Sequence, residues 1–176
     1  MPYLVRKITR AKWDSGDEFA LDEIPADAVT ADLRTTGNSL SFWKLEEPSD
    51  DEQIHLIALA LAAGAERIDR MDLAWVEEND FHDHGISMNP SEGRTRIVSL
   101  RKFHVDAIKL DLARLCIVAS SISEALSRNQ HQRFTKKEIT QILVEAARTG
   151  LLSLNDLAPK VREDIEKKLG NASSPK

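Results

Sequence analysis

The chain has 176 residues, 41% of them apolar and 30% charged, with a net charge of −5. That length is enough to bury a real core, and the acidic balance argues against nonspecific nucleic-acid binding by the molecule as a whole. One cysteine, Cys116, excludes an intrachain disulfide framework and fits a reducing compartment. The opening Met1-Pro-Tyr-Leu-Val-Arg-Lys-Ile is too short and too charged for a secretory core. The longest apolar run, Leu56 to Ala63, falls far below the roughly 20 residues that span a bilayer. A cytoplasmic protein is expected.

In chain order, Tyr3 to Ile8 alternates as a strand, and Pro2 at its start suits a sheet edge. A polar, glycine-containing segment follows, from Asp14 to Glu23. Pro25 then opens a helix reaching about Arg34, since its fixed φ suits a first turn. Gly37-Asn38 turns the chain into a second strand, Leu40 to Leu45. Ser49 and Glu52 have capping-box spacing, predicting a helix through the apolar stretch Ile54 to Ala63 that ends at Gly64. Met71, Leu73 and Trp75 alternate within a third strand, about Arg67 to Val76. Glu77 to Gly85 reads as a short polar helix or turn, and Ser87 to Gly93 as a loop. Ile97 to Leu100 offers a possible fourth strand.

A long helix is expected from near His104 or Val105 to Arg128, with an apolar seam at Ile108, Leu112, Leu115, Ala119, Ile122 and Leu126. The alternation Ile108-Lys-Leu-Asp-Leu112 leaves a strand there as an alternative. Cys116, flanked by Leu115, Ile117 and Val118, is expected to be a buried small hydrophobe. Thr135 and Glu138 form a second capping box before Ile139, Ile142, Leu143 and Ala146, and Gly150 closes that helix. Asn155 and Pro159 introduce a last helix carrying Val161, Ile165 and Leu169. These elements predict an α+β or α/β fold: a three- to four-stranded mixed sheet with packed helices, a parallel crossover among its possible connections, followed by an all-helical C-terminal subdomain. The corresponding division is an α/β subdomain over 1–100, a helical subdomain over 101–170 and a flexible tail over 171–176.

Three sets of residues point to function. His82 and His84, beside Glu77, Glu78, Asp80 and Asp83, could grip a metal on an extended backbone, with His55, His104 or Asp106 as a third ligand. An exposed polar turn is the plainer reading of the same residues. Basic runs at Arg94, Arg96, Arg101 and Lys102, and at Arg128, Arg133, Lys136 and Lys137, would hold phosphates if they converged with each other or with a third run at Arg6, Lys7, Arg10 and Lys12; a solvated mixed-charge surface is the alternative. The seam residues Ile108, Leu112, Leu115, Ile122 and Leu126 serve either an internal bundle with the last two helices or a partner surface. Asp69 and Asp72 lack the companion acid and lysine of a metal-dependent nuclease, and no glycine-rich phosphate loop is present.

The resulting first expectation is a non-catalytic cytoplasmic accessory or adaptor protein, working through protein contacts of its helical half. A protein partner or a homodimer is expected, and no cofactor and no membrane. The alternatives are a metal-dependent hydrolase or nuclease using His82 and His84, and a nucleic-acid-binding module using the two basic runs.

Overall fold

The computed structural model describes residues 2–14 and 23–172. Six strands form one open sheet: β1 (Tyr3–Ile8), β2 (Leu40–Leu45), β3 (Met71–Glu77), β4 (Ser87–Pro90), β5 (His104–Ile108) and β6 (His131–Phe134). Their spatial order is β4-β5-β2-β1-β3-β6, and every pairing is antiparallel. The predicted three- to four-stranded mixed sheet is therefore corrected to six antiparallel strands, without a parallel crossover among the described residues. β1, which Pro2 suggested as an edge, lies between β2 and β3.

Helices cover both faces. On one face lie α3 (Asp51–Ala63) and α6 (Lys136–Arg148), with α7 (Pro159–Ala172) against α6. They meet Val5, Trp43, Leu45, Leu73, Trp75 and Phe134 of the sheet. On the other face lie α1 (Arg10–Trp13), α2 (Ala26–Asp32), α4 (Glu78–Asp83) and α5 (Leu112–Ser127), against Leu4, Ile8, Phe42, Val76 and Val105. Burial on both sides explains β3, where six consecutive residues from Met71 to Val76 are buried. The one acid among them, Asp72, accepts a 2.6 Å hydrogen bond from Arg133 on the neighbouring strand.

The expected all-helical C-terminal part is also corrected, because β5 and β6 fall within it. The predicted long helix begins only at Leu112. His104–Ile108 is strand, alternating Val105 and Ala107 toward the α5 face with His104, Asp106 and Ile108 toward the other. Asp111 caps α5, its carboxylate accepting from the Arg114 N–H at 2.8 Å. Val118, Ala119, Ile122, Ala125 and Leu126 are buried against the sheet, whereas Leu112 is 77% exposed and Leu115 only partly covered. The seam thus packs on the sheet of its own chain, on the opposite face from α6 and α7. Cys116 is exposed rather than buried, since it lies on the helix surface turned away from Val118 and Ala125. Asn129, at φ +58°, ends α5: the Gln130 N–H reaches the Ala125 carbonyl at 2.8 Å, and the chain turns into β6.

Other boundaries shift for local reasons. Asp50, one residue after Ser49, is the cap of α3, accepting from the Gln53 N–H at 2.9 Å. The Ser87 to Gly93 segment begins as edge strand β4, where Pro90 costs no interior ladder bond. Residues Val98–Phe103 form a 3-10 helix where a strand was a candidate. The Thr135–Glu138 capping box forms in both directions. Most of the polar segment between Asp14 and Glu23, and residues 173–176 of the expected tail, lie outside the described residues.

Candidate functional site

At the ends of β1, β2 and β5 the sheet opens into a cleft of about 780 Å³, within the size range of small-molecule sites. Its floor follows from strand register. Trp43 faces His104 across β2 and β5, and Ser41 faces Asp106 one step along the same sheet face. The Ser41 hydroxyl donates to the Asp106 carboxylate at 2.8 Å. The walls come from the α3 end (Ala60, Leu61, Gly64) and the loop Ser91–Thr95. Thr95 ties that loop down: its buried hydroxyl donates to the Ala60 carbonyl and accepts from the Ile97 N–H, each at 3.2 Å.

His104 is the least exposed ionisable group lining the cleft, with 5% of its surface exposed. Its Nδ1 lies 2.7 Å from the Ser91 hydroxyl, and the Trp43 ring meets it edge-on with centroids 5.1 Å apart. Gly93, at φ +61°, approaches the ring so closely that a Cβ there would sit 2.6 Å from it. Two requirements meet at this glycine: a left-handed backbone, and space for an imidazole.

Desolvation holds His104 below the ordinary histidine range, opposed by the Asp106 carboxylate and a hydrogen bond with the Ser91 backbone. The ring is therefore neutral at pH 7. Protonation favours the unfolded chain, whose histidine titrates at an ordinary value, so stability falls as pH drops below about 6.5. We expect denaturant midpoints measured between pH 7.5 and 5 to fall less in His104→Gln than in the wild type. His131 shares the lowered direction, mainly through desolvation, and contributes to the slope that remains. Equal slopes in both proteins would show that His104 does not contribute.

The opposite side of the strand ends is fastened by Arg6. Its Nη1 donates to the Ser41 carbonyl at 2.6 Å, its Nε donates to the Asp32 carbonyl at 2.9 Å, and its guanidinium lies 5.6 Å from the Phe42 ring centroid. Burial lowers its pKa to about 10, against the raising influence of Asp32, so the cation persists at neutral pH. The Asp32 carboxylate also accepts from Trp13 Nε1 at 2.8 Å and from the Thr9 N–H at 2.6 Å. Arg6 and Asp32 are thus occupied in holding β1, β2 and α2 together. Lys7, Arg34 and Arg94 also line the cleft, and among the described residues none of the three forms an ion pair.

The residues singled out in the sequence are dispersed. His82 and His84 are exposed at the end of α4; His82 Nδ1 is 3.9 Å from Asp83, and His84 Nδ1 is 2.7 Å from the Asp80 carbonyl. His55 Nδ1 is bound to the Asp51 carbonyl at 2.5 Å. Among the described residues, no three His, Cys, Asp or Glu side chains are grouped to hold a metal ion. In the first basic run, Arg94 lines the cleft, Arg96 is exposed, Arg101 pairs with Glu92 at 2.9 Å and Lys102 lies over Phe103. In the second, Arg128 pairs with Glu124 at 2.5 Å and Arg133 with Asp72, while Lys136 and Lys137 are exposed on the first turn of α6. The two runs do not share one surface strip, because β1 and β3 separate β2, where the first run packs, from β6.

Ser41, Trp43, Ser91 and Gly93 had no functional signal in the sequence, because only the antiparallel register brings them beside His104. Asp106 and His104 stood out there only as guesses for a metal. Among the described residues, no helix is long and apolar enough to cross a membrane. No protein-family model matches the chain, and neither a curated protein nor a solved structure matches it.

Proposed function

We propose that the chain is a non-catalytic cytoplasmic accessory protein that recognises a small anionic ligand in the cleft and works through a protein partner. The observation that carries this reading is that Lys7, Arg34 and Arg94 line the same cleft as Trp43 and His104. In a protein of net charge −5, these cations make the cleft a local site of opposite sign. Asp106 is the acid left facing them, and its charge is shared with the Ser41 hydroxyl. His104 supports a binding role rather than a general-base role: its Nδ1 is engaged by Ser91, and Trp43 and Gly93 pack against its ring. A single phosphate or carboxylate group on a compact ligand suits a concave site of this size better than a nucleic-acid backbone does. A duplex would need cations spread along a strip, and Arg101, Arg128 and Arg133 are already paired with acids.

Isothermal titration with pyrophosphate and, separately, with citrate distinguishes a phosphate site from a carboxylate site. We expect one-to-one binding of one of them, weakened at least about tenfold by Lys7→Ala with Arg94→Ala, a loss of about 1.4 kcal/mol. Both substitutions are at exposed positions, so unchanged thermal melting is expected alongside. No binding at millimolar ligand, or binding indifferent to the two substitutions, would remove the reading.

A further inference from the structure

A second concavity, about 430 Å³, runs between α3 and α6, away from the cleft. Its floor is apolar, formed by Leu56, Leu59, Ile142 and Leu151, the last of these 40% exposed. Glu52, Glu138 and Glu145 also line it, with no lysine or arginine among its lining residues. Among the described residues none of these three acids forms an ion pair. The Glu138 carboxylate accepts from the Thr135 N–H at 2.6 Å and from its hydroxyl at 2.7 Å, bonds that favour the anion.

We infer that this groove docks a basic amphipathic helix of a protein partner. The wall chemistry selects that occupant. Two α-helices border the groove, with their mid-helix N–H and C=O groups already bonded internally, so an extended segment laid between them would leave its own backbone unpaired. A helix satisfies its backbone by itself and presents apolar side chains at three- and four-residue spacing to an apolar floor. Lysine or arginine beside those anchors meets Glu52, Glu138 and Glu145, whereas acidic flanks would be repelled. The inference rests on the accessory-protein reading for its need of a partner, and on none of the residues of the anion cleft.

The test uses the full chain and a synthetic helical peptide with leucines at positions i, i+4 and i+7 flanked by lysines, and a copy with glutamate in place of each lysine. In fluorescence anisotropy the lysine peptide should bind at least about tenfold more tightly than its acidic copy, and less tightly as salt rises. Glu52→Lys with Glu145→Lys, both exposed, should remove that preference while leaving thermal melting unchanged. Equal binding of the two peptides, or a preference that survives the double substitution, overturns the proposal. So does a concentration-dependent dimer broken by Leu151→Asp, which would assign the groove to a second copy. Pyrophosphate binding measured on the same samples reads the cleft alone, so failure of one site is told apart from failure of the other.

Discussion

Ile122→Asp should abolish soluble, folded protein, whereas Leu112→Asp on the same helix should leave folding unchanged. Ile122 has 1% of its surface exposed and lies under α5 against the sheet; Leu112 is 77% exposed. Placing a carboxylate at position 122 removes an apolar side chain whose burial contributes about 1.5–3 kcal/mol. It also strands an unpaired charge in a dry layer, which adds several kcal/mol more. The total rivals the roughly 5–15 kcal/mol that separates a folded domain from its unfolded chain. Circular dichroism and soluble yield for the two variants check this directly. A folded Ile122→Asp protein that had lost only self-association would return the seam to a partner surface.

Gly93→Ala has the second large expected effect. Alanine at φ +61° costs about 1–2 kcal/mol in backbone strain, and its Cβ collides with a ring held by Trp43 and Ser91, adding roughly 1–3 kcal/mol. Gly37→Ala and Gly85→Ala are the matched controls: their φ values are +60° and +68°, but nothing lies within 4 Å of the added Cβ. Gly93→Ala should therefore destabilise more than either control in urea unfolding, and His104→Ala in the same chain should relieve the excess. Equal costs at the three glycines would mean that the ring does not constrain the loop.

The long regular elements could be read from the chain. β1 and β2 carry enough residues for their patterning to show, and the helix ends at Gly64, Arg128 and Gly150 are marked by their own residue chemistry or that of the next position. The sheet size could not be read, because β4 and β6 have four residues each and β5 has five. His131-Gln-Arg-Phe134 shows only Phe134 as an inward residue, and Ser87-Met-Asn-Pro90 looks like a turn until a neighbour supplies its hydrogen bonds. At β5 the heptad spacing continued backwards through Ile108 and concealed a strand; the helix start shows only in the structure, where Asp111 accepts from the Arg114 N–H. The cleft was least legible. Ser41, Lys7 and Asp106 come from three separated strands, and their common face depends on register that no local pattern encodes.

An amide proton–nitrogen correlation spectrum recorded during pyrophosphate titration tests the anion cleft most directly. Saturable shifts should be confined to the Ser91–Thr95 loop, Ser41 and the neighbouring ends of β1 and β5, and Lys7→Ala with Arg94→Ala should abolish them. An unchanged spectrum, or shifts centred on residues 128–137, would contradict the assignment.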